Sequence, residues 1–172
     1  MSVMAVYFHG DDQFDVPDDT SWIPGEVGEP HELHGDVALH IQLERSLVYP
    51  NGVLVSLTVR APIGGSREAQ RSFARAVVSF HGTGNSGPRL DRWSDDQQEW
   101  VATMPWAHGG SGGHYSLPFW VAGAQTKPPA LILRFTWPDR SLSSEFRYTA
   151  EQIREARSRA QRLFGRGAEL EP

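Results

Sequence analysis

The sequence predicts a mainly β protein: an antiparallel β-sandwich, jelly-roll-like or Ig-like, with one C-terminal amphipathic α-helix. Three observations predict it. Short runs that alternate apolar and polar residues recur between turn signals, the period-two pattern of strands with one buried face. Helical spacing is read only once, after Thr149. The helices that a doubly wound α/β fold needs between its strands are missing from the pattern.

The elements follow in order. Residues 4–8 form a short strand candidate. Residues 11–30 are rich in Asp, Glu, Pro and Gly and read as a long loop anchored by Trp22 and Ile23. The clearest strand starts at Val37, where Val37, Leu39, Ile41 and Leu43 alternate with Ala38, His40 and Gln42 and the run continues through Leu47 and Tyr49. Pro50-Asn51-Gly52 supplies a preset φ and two residues tolerant of positive φ. Val53, Val55, Leu57 and Val59 then share one face of a run ending at Arg60, which completes a β-hairpin. Residues 61–72 read as a connection, 73–80 as a strand, 81–97 as a polar stretch, 98–104 as a strand and 109–113 as a glycine-rich loop. Tyr115, Leu117, Phe119 and Val121 alternate, and Pro118 among them marks a sheet edge or a bulge. Leu131, Leu133, Phe135 and Trp137 share one face of a strong strand, with a turn at 137–140 and a last strand at 143–148 that turns Phe146 and Tyr148 inward. Thr149-Ala150-Glu151-Gln152 is a capping box, followed at helical spacing by Ile153, Ala156, Ala160, Leu163 and Phe164. Gly165 is the expected helix stop. The organisation is an acidic arm or loop at 1–36, a sandwich with its helix at 37–164 and a flexible tail at 165–172.

A chain of 172 residues suits one domain and buries enough surface to fold without staples. With no cysteine, disulfides, thiolate metal sites and a cysteine nucleophile are excluded. The opening residues carry no basic stretch before an apolar run, so a cytoplasmic location is expected. The net charge of −5 argues against nucleic acid and anionic membrane as partners. Ten acidic residues and no Lys or Arg precede Arg45, whereas the remainder holds sixteen basic and eleven acidic residues. An acidic N-terminal arm packing near a basic body is expected, with recruitment of a basic partner as the alternative.

The hairpin text from Asp36 to Arg60 resembles that of a group of small actinobacterial proteins of unknown function. The likeness extends to the glycines at 109–113, the segment up to Trp120, Arg134-Phe-Thr-Trp-Pro138 and the helix at 153–164, roughly residues 36–164. Residues 121–129 stand where the pattern has a shorter proline-rich link. The resemblance implies membership and carries no catalytic residues.

Several motifs invite a functional reading. Gly82-Thr-Gly84-Asn-Ser-Gly87 is a literal G-x-G-x-x-G after a candidate strand. A dinucleotide site needs a helix N-terminus next, to aim amides at pyrophosphate, but Pro88, Arg89 and polar residues follow. A loop is expected there, and no cofactor. Residues 109–113 match G-x-S-x-G around Ser111, with His108 and His114 nearby. A nucleophile elbow requires strand, sharp turn and helix, and the sequel reads as strand. His31 and His34, three residues apart beside Asp36 and His40, form the weak metal candidate, since neutral imidazoles and a carboxylate suit zinc. Five of six tryptophans fall between Trp93 and Trp137; Trp100 and Trp137 read as core, Trp106 and Trp120 as exposed aromatics able to stack on a ligand or sugar. Arg154, Arg157, Arg159, Arg162 and Arg166 decorate the last helix, where Glu151 and Glu155 offer local partners.

The binding candidates are therefore Trp106, His108, Gly110, Ser111, His114 and Trp120, with no catalytic set. The leading expectation is a non-enzymatic interaction or accessory module with a protein partner or a homo-oligomer. A carbohydrate- or small-ligand-binding sandwich and a small metal-dependent or serine hydrolase are the alternatives.

Overall fold

The computed structural model describes residues 22–62, 64–80, 87–103, 105, 109–111, 113–122 and 130–163. The strand expected at 4–8 and the tail at 165–172 lie outside them. Among the described residues the fold is mainly β, every strand pair is antiparallel, and there are two α-helices rather than one.

The first difference falls in the segment read as a loop. It holds three short strands: β1 (Trp22–Ile23), β2 (Gly25–Val27) and β3 (His31–Gly35). Val27 and Leu33 reach the core, which ties this acidic stretch to the body. Gly25 is required, because a Cβ there would lie 1.7 Å from the Ala156 carbonyl oxygen.

The predicted hairpin forms, with a break that the alternation hides. β4 (His40–Leu43) and β5 (Ser46–Tyr49) both pair with β6 (Gly52–Arg60), around a turn at Pro50-Asn51. The register runs Leu43 opposite Leu57 but Leu47 opposite Leu54, so the β4–β5 side carries one extra residue. That is a bulge at Glu44-Arg45, and it inverts the facing of everything after it. Ile41 and Leu43 point to the core before it, Ser46 and Val48 after it. Leu47 and Tyr49, read as the strand's continuing apolar face, turn to the opposite side. The buried Ser46 hydroxyl donates to the Tyr148 hydroxyl (3.3 Å), and Arg45 reaches Glu26 and Glu29 at 3.1 and 3.0 Å. Val37, expected to point inward, is 95% exposed.

The second difference is α1 (Arg67–Phe80), where a connection and a strand were expected. The Ser66 hydroxyl accepts from the Ala69 amide (3.2 Å), a side-chain cap for the first turn. Ala69, Phe73, Ala76 and Phe80 then recur at four, three and four residues, a helical stripe that an alternating reading splits between two faces. Phe80 packs against Phe119 and Phe135, with ring centroids 6.2 and 6.4 Å away.

The rest of the chain supplies β7 (Arg89–Ser94), β8 (Glu99–Ala102), β9 (Gly109–Ser111), β10 (His114–Ala122), β11 (Leu131–Trp137), a 3₁₀ turn (Pro138–Arg140), β12 (Leu142–Tyr148), α2 (Ala150–Ser158) and β13 (Gln161–Arg162). β7 lies within the stretch read as polar. The Thr149 capping box closes as expected: its hydroxyl accepts from the Gln152 amide (3.2 Å), and its own amide donates to Gln152 Oε1 (2.8 Å). α2 ends at Ser158, short of the expected stop, because the chain leaves to pair Gln161 and Arg162 with Ile23 and Trp22.

The larger sheet runs β2-β5-β6-β10-β9, with β4 also on β6 and β3 on β4; the smaller runs β12-β11-β7-β8. β10 pairs with β6 along its length but with β9 only as far as Ser116, so Pro118 lies where β10 has one described neighbour. One core cluster gathers Val53, Val55, Leu57, Val59, Leu117 and Phe119 from the larger sheet and Leu131, Leu133, Phe135 and Trp137 from the smaller. Both helices contribute to the same cluster, through Ala76 and Phe80 and through Ile153 and Ala156.

Candidate functional site

The sequence candidates converge only in part. Gly110 and Ser111 lie on β9 and His114 on β10, with Ser111 and His114 facing each other across the closing turn. Gly113 in that turn has φ +86°, and a Cβ there would lie 2.7 Å from the Ala61 carbonyl oxygen. The Ala61 amide donates to the Gly113 carbonyl (2.6 Å). These glycines therefore serve a tight hairpin docked against the end of β6. The order strand–turn–strand does not build a nucleophile elbow, which needs a helix after the turn. Trp106 and His108 lie outside the described residues.

His114 and Trp120 share a surface, the face of the larger sheet opposite the core. The β10–β6 register sets His114, Ser116, Pro118 and Trp120 opposite Arg60, Thr58, Ser56 and Leu54. β4 adds His40 and Gln42 beside Arg60 and Thr58. The bulge adds Leu47 beside Leu54. The face has an apolar end (Leu47, Leu54, Pro118, Trp120) and a polar end.

At the apolar end the Trp120 indole lies over Gly52, where a Cβ would come within 2.4 Å of the ring. It meets Tyr49 edge-on at 5.9 Å and 69°. Its Nε1 is buried and has no hydrogen-bond partner among the described residues. At the polar end the Thr58 hydroxyl donates to Glu44 Oε1 (2.6 Å). Arg60 approaches the same oxygen at 3.6 Å, and Gln42 reaches Oε2 at 3.5 Å. The sequence reading missed Glu44 and Thr58 because both gain their neighbours from the bulge. The one available signal was the polar pair Glu44-Arg45 interrupting an otherwise alternating run.

The histidines of β3 are tied up structurally. His31 meets Phe146 edge-on at 5.1 Å, and His34 meets Trp137 edge-on at 5.0 Å. His34 Nε2 lies 3.1 Å from Asp36 Oδ2 and 2.8 Å from Arg140 Nη1, and Arg140 also donates to Asp36. The Asp36 Oδ1 accepts from the amides of Ala38 and Leu39, both at 2.8 Å. Partial burial works to raise the Asp36 pKa, but the hydrogen bonds from Arg140, the Ala38 amide, His34 and the Leu39 amide outweigh it and hold the carboxyl well below its usual range. His40 bonds instead to Glu32 (2.9 Å). Among the described residues no three His, Asp or Glu side chains gather in a geometry that could hold a metal ion.

The last glycine of G-x-G-x-x-G, Gly87, precedes β7, and the motif comes after α1. The element before the motif is thus a helix rather than the expected strand, and the element after it is a strand, the reverse of a phosphate-binding turn. Trp100, read as core, is half-buried outside the core cluster and lies across from Trp93 on the smaller sheet. No family model, curated protein or solved structure matches the chain. Among the described residues no helix is long and apolar enough to cross a membrane.

Proposed function

We propose that the chain is a non-enzymatic interaction module that receives a protein partner on the outer face of its larger sheet. The observation that carries this reading is the pairing of Leu47 with Leu54 beside Trp120, a half-buried apolar strip on the side of the sheet away from the core. Aromatic anchors within a broad surface, bordered by polar groups, are the usual anatomy of a protein interface. The polar end, with Gln42, Glu44, Thr58 and Arg60, supplies that border. The reading takes the two sheets as layers of a sandwich sharing one core, and places the protein in the cytoplasm. Kinship with the small actinobacterial proteins belongs to the same proposal.

The test is native capture from a lysate of the source cells, quantified by mass spectrometry, with wild type, Leu54→Lys and Ala102→Lys. Ala102 is exposed on the other sheet and serves as the control. The expected result is at least one protein captured by wild type and Ala102→Lys and lost with Leu54→Lys. Identical captured sets for all three would overturn the reading.

A further inference from the structure

A second site, separate from the sheet face, lies between the last turns of α1 and the end of β11. It is a cleft of about 400 Å³ lined by Arg75, Ala76, Ser79, Gly87, Trp137 and Arg140, among others. That is the size range of pockets for small organic ligands. Arg75 and Ser79 stand one helical turn apart, so their side chains share a wall. Ser79 is 5% exposed, and its hydroxyl has no hydrogen-bond partner among the described residues. A buried hydroxyl without a partner is costly, and a ligand that pairs with it recovers that cost. Gly87 packs directly against this hydroxyl, where a Cβ would lie 2.4 Å from the Ser79 oxygen.

The cations of the cleft differ. Arg140 is already held by Asp36 and stacks over Trp137 at 4.5 Å, so its charge is largely compensated. Arg75 is exposed and makes no ion pair among the described residues. It is therefore the cation available to a ligand. Beside it, Ala76 and the Trp137 indole give an apolar wall.

We propose that this cleft binds a small monocarboxylate with an apolar body. The carboxylate receives hydrogen bonds from the Arg75 guanidinium and the Ser79 hydroxyl, and the apolar body lies against Ala76 and Trp137. A guanidinium matches a carboxylate with two parallel N–H donors. Phosphate fits less well. Arg75 and Ser79 sit in the C-terminal part of α1, where unpaired carbonyls give the helix a negative end that repels a dianion more than a monoanion. Asp139 at the rim adds to that repulsion.

Calorimetric titration of the full chain with phenylacetate, benzyl alcohol and inorganic phosphate tests the proposal. Phenylacetate is expected to bind at least about tenfold more tightly than either comparison compound, the ratio that one charge-assisted contact supplies. Arg75→Gln should weaken phenylacetate about tenfold on the same ground. Ser79→Ala should also weaken it while leaving the melting temperature unchanged or higher, since the hydroxyl it removes has no hydrogen-bond partner among the described residues. Absence of phenylacetate binding, phosphate binding as tight as phenylacetate, or equal affinity in wild type and both variants would each overturn it.

Discussion

The outer faces of the two sheets both carry tryptophan, in opposite circumstances. On the smaller sheet Trp100 meets Trp93 edge-on at 5.6 Å, and the Arg134 guanidinium lies 4.2 Å from the Trp100 ring centroid. Arg134 in turn pairs with the buried Asp91 at 3.3 Å, which Arg89 also approaches at 3.5 Å. The Trp100 ring and the Asp91 carboxylate each have a cationic neighbour from the same face, although Arg134 Nε, like the Trp120 indole, has no partner among the described residues. On the larger sheet Trp120 has an aromatic neighbour but, among the described residues, no cation and no partner for its buried N–H, and leucines extend the apolar surface beside it. The smaller sheet's face engages its rings and charges chiefly with one another. The larger sheet's face leaves a half-buried leucine pair beside an aromatic ring, apolar area that a partner would cover.

Each of four substitutions probes that contrast, and they rank by size. Asp91→Ala removes the counter-charge of a partly buried guanidinium and should cost about 3 kcal/mol in urea denaturation, with partner capture intact. Gly52→Ala should cost about 2 kcal/mol, because the new methyl meets both the Trp120 ring and, at 2.6 Å, the Val121 carbonyl oxygen. It should also displace the indole and reduce capture. Asp36→Asn cuts the link between β3–β4 and the 3₁₀ turn, and should cost about 1 kcal/mol at neutral pH. The folded Asp36 pKa lies below its unfolded value, so the wild-type advantage is present above the unfolded carboxylate pKa of about 4 and fades as pH falls further. The stability gap between wild type and Asp36→Asn, measured by chemical denaturation, should be level from about pH 6 to 8 and narrow below about pH 4. Leu54→Lys, at a half-buried position outside the core cluster, should cost no more than about 1 kcal/mol, yet abolish capture.

Strands with one buried face were legible wherever alternation ran unbroken, as in Leu131–Trp137, whose inward and outward residues fall as the sequence predicts. The capping box at Thr149 was legible because its hydrogen bonds are local in sequence. Two features were not. α1 escapes an alternating reading because Phe73, Val77 and Phe80 satisfy that pattern loosely, and the decisive signals, Ser66 as cap and the Ala69–Phe80 stripe, span the boundary drawn between loop and strand. The candidate face was half legible. His114 and Trp120 stand out by their neighbourhood of glycine and tryptophan, and Leu54 and Thr58 join them through the regular β6–β10 register, but Leu47 and Glu44 reach this face only through a one-residue bulge. No propensity marks that residue, since its effect is a register shift set by the partner strand.

The central claim is that the outer face of the larger sheet is occupied in the cell and that of the smaller sheet is not. The most direct measurement places a photoreactive benzophenone side chain at Ser56, between Leu54 and Thr58, or at Ala102 on the smaller sheet, and irradiates living cells. The account predicts a discrete protein adduct from position 56, lost when Leu54→Lys is added, and none from position 102. No adduct from either position, or the same adduct from both, would contradict it.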